Sequence, residues 1–154
     1  MSKQHTELAF ENAIEQYLLN TKEYIKGDPE DFNKTYAMDT KLLFSFLRNS
    51  QEKEWKKLES VHREDIENKI LFRLDKEMQS RGALDVIRNG FTDNGVHFQM
   101  AYFKPETSLN PETEKLYNQN IFSVTRQVHY SLKNENSVRS EEHTSELQSL
   151  RTIS

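Results

Sequence analysis

The hydrophobic period of this chain changes near Gly90, from helical spacing to mainly alternating spacing, which makes a layered α/β or α+β fold the natural reading. From Thr6, the apolar residues Phe10, Ile14, Tyr17 and Leu18 recur at helical spacing with Glu11 and Glu15 between them, which predicts an amphipathic helix. Gly27, Asp28, Pro29 and Asp31 make residues 24–35 read as a loop. Asp39 is placed to cap a short helix carrying Leu42, Leu43, Phe46 and Leu47, and Ser50 to cap the next, with Trp55 and Leu58. A longer helix is expected from about Val61, with Ile66, Ile70, Leu71, Leu74 and Met78 on one stripe and Gly82 as its C-terminal cap.

Beyond Gly90 the spacing alternates. Asn94-Gly95 is a hairpin-turn signal, and Val96, Phe98, Met100 and Tyr102 then alternate with His97, Gln99 and Ala101 in an expected strand that stops at Lys104-Pro105. Asn110-Pro111-Glu112 opens a short helix: Asn caps, Pro at the first position gives up no needed hydrogen bond, and Glu112 and Glu114 favour the positive end of the dipole. Phe122, Val124, Val128 and Tyr130 alternate again in a second strand. The expected class is therefore α/β, helices packed on a sheet, with no internal repeat.

Composition narrows the function classes. No apolar run approaches a membrane span, and MSKQHTELAF lacks the hydrophobic stretch of a signal peptide. The absence of cysteine excludes disulfides and thiolate metal sites, and makes a cytoplasmic protein the default expectation. A net charge of -4 supplies no electrostatic argument for nucleic acid, so a DNA partner must be argued from particular residues.

Residues 139–154 change character. The stretch RSEEHTSELQS, from Arg139 to Ser149, is the literal translation of a widely used sequencing-adapter oligonucleotide, so residues 139–154 are expected to be an adapter-derived, disordered tail. A genuine polar terminus is the alternative. The tail holds two basic and three acidic residues, so the remaining residues 1–138 have 19 basic and 22 acidic residues and a net charge of -3. The acidity belongs to the domain itself.

Two long blocks carry a family resemblance: GALDVIRNGFTDNGVHFQMAYFKP, residues 82–105, and LNPETEKLYNQNIFSVTRQVHYSLKNENSV, residues 109–138. LAFENAIEQYLL near the start, and the spacing of Trp55, Leu58 and His62, fit the same pattern. Together they resemble the N-terminal region of the R subunit of type I restriction enzymes, over nearly all of residues 1–138. The resemblance implies a nuclease domain of the PD-(D/E)xK type on an incomplete sheet. It implies a parent enzyme that cleaves unmethylated double-stranded DNA with Mg²⁺ and ATP, alongside modification and specificity subunits and without a membrane. In that family an Asp on one strand, and a Glu and a Lys on the next, form the active site. There the carboxylates hold Mg²⁺, which polarises the scissile phosphate and activates a water. The Asp is due just after the segment matching Asn134 to Ser137. Here Val138 is followed by Arg139, so the catalytic Asp, Glu and Lys are expected beyond Val138, and the fragment is expected to be inactive, with no cofactor of its own.

The residues that are present offer weaker candidates. Glu11 stands where the resemblance implies a further acidic residue near the metal; a solvated charge on an amphipathic helix is the other reading. Arg126 falls in register with Phe122, Val124, Val128 and Tyr130, so it needs either an ion-pair partner or a DNA phosphate. His129, with Gln127 and Thr125 on the other face of that strand, could approach DNA or simply be solvated. His97 and His129 lack metal-ligand spacing, and Trp55 reads as a core anchor beside Leu58. A glycine-rich phosphate loop and a nucleophile elbow are both absent from the sequence. The alternative to an enzyme fragment is a non-catalytic module that docks on DNA or on a partner subunit. Without the catalytic hairpin, the strand around Val124 is expected to expose an unpaired edge and apolar residues.

Overall fold

The structure, a computed structural model, describes residues 3–126. Val128, His129 and Tyr130, the segment 134–138 and the tail 139–154 lie outside the described residues. The class is mixed α/β: the described residues form six α-helices and strands joined in three separate pairs. Contacts divide the chain into two compact units, one of the residues up to Thr40 together with those from Ile121, the other Lys41–Asn120.

The first unit is built on helix α1 (Lys3–Asn20) and a parallel strand pair, β1 (Tyr24–Lys26) with β6 (Phe122–Val124). Tyr24 pairs with Phe122, Ile25 with Ser123 and Lys26 with Val124, and the Gly27 N–H extends the ladder to the Val124 carbonyl at 2.9 Å. Tyr24 and Phe122 also bring their rings together, 5.7 Å between centroids. The segment read from sequence as a loop therefore contains a strand. It also holds a single 3-10 turn (Pro29–Asp31) capped by the Asp28 carboxylate, and β2 (Phe32–Asn33), antiparallel to β3 (Met38–Asp39). Pairing between residues so far apart in sequence leaves no local signature, which is why β1 is invisible to periodicity. Among the described residues β6 pairs with β1 alone, which leaves its other edge without a strand, as expected; Val124 itself pairs with Lys26 and is 3% exposed, so the apolar exposure expected there is not found at this residue.

The second unit is α-helical with one hairpin. Helix α2 (Thr40–Ser50) buries Leu43, Phe44, Phe46 and Leu47, a stripe close to the expected one. Helix α3 (Glu52–His62) buries Trp55 and Leu58; the Trp55 ring meets Phe44 edge-on, and the Arg48 guanidinium lies 4.7 Å over it. Trp55 is thus a core anchor. Helix α4 (Ile66–Arg81) buries Ile70, Leu71 and Leu74 and ends at Gly82, whose φ of 86° only glycine adopts freely. Val61 belongs to α3, not to α4 as periodicity implied. The break falls at Arg63 and Asp65, both with positive φ, where no Gly or Pro announces it. Helix α5 (Ala83–Asn89) follows, then the hairpin of β4 (Phe91–Asp93) and β5 (Val96–Phe98) around the expected Asn94-Gly95 turn. Phe91 and Phe98, both fully buried, stack across the hairpin at 5.5 Å. Helix α6 (Pro111–Tyr117) starts as expected, with the Asn110 side chain accepting from the Glu112 N–H at 3.0 Å.

The strand expected to reach Tyr102 stops at Phe98, and the reason is visible in two carboxamides. Gln51 occupies the capping position expected of Ser50, but it caps nothing with its side chain. Its amide instead accepts from the Gln99 N–H at 2.7 Å and donates to the Gln99 carbonyl at 2.9 Å. Asn120 does the same for Tyr102, at 2.8 and 2.6 Å. Side chains satisfy these backbone groups in place of a neighbouring strand, and the chain bends at Met100 without joining a sheet. The Ser50 hydroxyl donates back to the Phe46 carbonyl, at 2.7 Å. Replacing Gln51, which is 6% exposed, by Leu leaves both backbone groups of Gln99 unsatisfied. We expect a loss of about 2 kcal/mol, read as a lower urea midpoint with an unchanged slope; an unchanged midpoint would show that water replaces the amide.

Candidate functional site

Helix α1 turns its carboxylates inward. Glu11 and Glu15, one helical turn apart, share a face with Asn12, and all three meet Arg126, two residues past the end of β6. Arg126 donates to Glu11 Oε2 from Nε at 3.2 Å and from Nη2 at 2.8 Å. Its Nη1 donates to Asn12 Oδ1 at 2.6 Å and to Glu15 Oε2 at 3.2 Å. The other Glu15 oxygen, Oε1, accepts from Lys26 Nζ at 2.9 Å. Glu15 therefore bridges the cations at the ends of the paired strands β1 and β6.

The arrangement overturns the expected orientation of α1. Phe10 and Tyr17, placed by periodicity on the inner stripe, are 59% and 70% exposed, whereas Glu15 is 5% exposed. The physical reason is Arg126: a guanidinium that cannot lose its proton must be matched, and two carboxylates with an amide oxygen do so. The alternation used to place Arg126 also has less meaning than expected, because Ser123, Val124 and Thr125 are all buried. Glu15, Asn12 and Lys26 were not singled out from the sequence. The i, i+4 spacing of Glu15 from Glu11 was the one signal that could have raised it.

The cluster is electrically balanced: Glu11 and Glu15 against Lys26 and Arg126. Hydrogen bonds from Lys26, opposed by burial and reinforced by Arg126, hold the Glu15 carboxyl below its ordinary value of 4.5. Burial works against the charge of Arg126, but Glu11 and Glu15 outweigh it and raise the guanidinium above its ordinary value. The unfolded Glu15 carboxyl binds a proton more readily than the folded one. Its contribution to stability is thus complete above about pH 4.5 and is lost as pH falls through the lower folded value. Glu15→Gln should flatten the acid limb of a stability–pH profile measured by urea unfolding between about pH 5 and pH 3. An acid limb as steep as that of the unaltered chain would rule this out.

Four guanidinium hydrogen bonds engage most of the five N–H donors of Arg126, so a phosphate would have to displace existing partners. Among the described residues no group of three or more His, Asp or Glu is placed to hold a metal ion. Glu11 and Glu15 are two carboxylates already committed to cations, and do not by themselves fit Mg²⁺. His129 lies outside the described residues. His97 bonds Thr92 Oγ1 through Nδ1 at 3.0 Å. His62, at the end of α3, meets Asp93 Oδ2 at 2.7 Å and ties that helix to the hairpin; both side chains are nearly buried. Asn89, the last residue of α5, donates to Asp85 at 2.7 Å. Among the described residues, no helix is long and apolar enough to cross a membrane.

No family model, no curated protein and no solved structure matches this chain.

Proposed function

We propose that residues 1–138 are the opening part of the nuclease domain of a type I restriction R subunit, and that residues 139–154 are an adapter-derived tail. The parent enzyme would cleave unmethylated double-stranded DNA with Mg²⁺ and ATP, together with modification and specificity subunits. The observation that carries this reading is the clamp of Glu11, Asn12 and Glu15 on Arg126. It docks the opening helix on the strand that leads towards the position where the family places its first catalytic Asp. Glu11 and Arg126 act here as positioning residues: the guanidinium fixes the helix to the end of the strand, and the balanced charge leaves metal binding to the residues that follow. The same clamp leaves Arg126 few donors for a DNA phosphate, so the DNA contact read from sequence for Arg126 becomes secondary in this account.

Cleavage by the chain and by its native extension tests the reading. Each would be combined with the modification and specificity subunits, Mg²⁺, ATP and an unmethylated plasmid. We expect no cleavage by the chain itself, and cleavage by the version extended through the Asp, Glu and Lys. That activity should vanish when the Asp is replaced by Ala. An extended chain that binds DNA or the modification subunits without cutting would overturn the proposal and identify a docking module.

A further inference from the structure

The apolar residues Phe10, Ala13, Ile14 and Tyr17 stand at i, i+3, i+4 and i+7 on α1, the diamond with which one helix packs on another. In most amphipathic helices that diamond faces the core. Here the opposite side of α1 is fixed by Glu11, Asn12 and Glu15 to Arg126 and Lys26, so the diamond is turned outward. Phe10 is 59% and Tyr17 70% exposed, Ala13 is exposed as well, and Ile14 is half-buried at the margin. Thr6, Ala9, Gln16 and Asn20, which border the diamond, are exposed and uncharged. The stripe that periodicity marks for burial is present and faces solvent.

We infer that this face binds a second copy of the chain, α1 packing antiparallel on α1 about a two-fold axis that passes between Ala13 and Ile14. A two-fold pair needs a face that complements itself. This one does: Phe10 of each copy meets Tyr17 of the other, a ring pair at either end. Ala13, between them, is small enough to let the helices close. Charge agrees with this occupant. The chain carries a net charge of -4, so two copies can meet only where their carboxylates stay apart. Glu11 and Glu15 lie on the far side of the helix with their cations, and the two-fold sets Glu7, at the margin, beside Asn20 of the second copy. The four rings bury on the order of 600 Å² in the pair, below the about 1,200 Å² of stable interfaces. The dimer is therefore weak, with a Kd on the order of 100 μM. This inference does not depend on the nuclease reading.

The test is sedimentation equilibrium of the full chain from about 10 μM to about 1 mM, where a monomer–dimer equilibrium is expected. Phe10→Ser and Tyr17→Ser should each weaken the dimer about tenfold. Both rings are exposed, so neither change removes core packing, and unchanged far-ultraviolet dichroism would show that the variants fold. The chain has no cysteine, so single cysteines report the geometry. Ala13→Cys should oxidise to a covalent dimer, because the antiparallel pair brings the two Ala13 positions together. Ala9→Cys should stay monomeric, since the two-fold sets its copies about 14 Å apart along the helix. A monomer at about 1 mM, a dimer that both serine variants leave unchanged, or equal cross-linking at Ala9 and Ala13 would each overturn the inference. Protection of Phe10 and Tyr17 only on adding the modification subunit would also overturn it, and would assign the face to that subunit.

Discussion

Gly90→Ala is expected to destabilise the Lys41–Asn120 unit by about 4 kcal/mol, combining backbone strain and displaced packing. Gly90 has φ 71° and ψ -166°, a region open almost only to glycine. An added Cβ would lie 2.0 Å from the Phe98 carbonyl oxygen and 3.0 Å from His97 Nε2. The carbonyl cannot withdraw cheaply. Phe98 pairs with Phe91 across the hairpin and stacks on it, and both rings are fully buried. Two other glycines provide the control. Gly82 and Gly95 also have positive φ, but a Cβ there meets nothing within 4 Å. Alanine at either should therefore cost only the conformational penalty: about 1 kcal/mol at Gly95, and about 2 kcal/mol at Gly82, whose ψ of 148° puts it in nearly the same glycine-only region as Gly90. Urea midpoints of the three variants, with hydrogen exchange at the hairpin amides, would check this; equal effects would show that the contact with Phe98 relaxes without cost.

Arg126→Leu is the second large effect, expected at about 3 kcal/mol in the unit built on α1, β1 and β6. Removing one partner of a largely buried ion pair leaves the other uncompensated, and the figure is set at the low end because the Arg126 side chain is 22% exposed. Glu15 would keep Lys26, but its Oε2, both contacts of Glu11 and the Asn12 oxygen would lose their donor. Arg126→Lys should cost less, because it keeps the charge and loses the forked geometry. The loss in Arg126→Leu should shrink in acid, where a protonated Glu15 no longer needs a cation. Urea unfolding at neutral pH and near pH 3 would measure it. A deficit of equal size at both pH values would point to lost packing of the arginine stem instead.

The parts of the fold that were legible in the sequence are those whose cause is local. Asn94-Gly95 makes its hairpin because adjacent residues can take positive φ there, and Asn110 caps α6 through a bond to Glu112, two residues on. The stripe of Leu43, Phe46 and Leu47 is read within one helix. What was not legible depends on distant partners. The inward face of α1 is chosen by Arg126, 115 residues from Glu11, and no period within the helix encodes that choice. Strand β1 exists because β6 lies beside it. The segment from Gln99 to Tyr102 has a strand pattern in sequence, but its backbone partners are the side chains of Gln51 and Asn120. The break between α3 and α4 sits at Arg63 and Asp65, both at positive φ; Asp tolerates that region but is common elsewhere, and Arg gives no sign of it.

The same division holds for the candidate site. Glu11 and Arg126 were each visible from the sequence, but as separate residues with competing readings. The structure joins them and adds Asn12, Glu15 and Lys26. A phosphate ligand for Arg126 would demand the release of a carboxylate, whereas a positioning role needs no change at all. This makes the clamp a framework for chemistry carried elsewhere in the nuclease domain that we propose.

The central claim is that a nuclease hairpin belongs directly after Val138. Sequencing the native gene across codon 138, from reads free of adapter, tests it most directly. The account predicts an Asp immediately downstream, followed one strand later by a Glu and a Lys, in place of the codons for RSEEHTSELQS. A native gene that encodes Arg139 to Ser154 and stops there would contradict it.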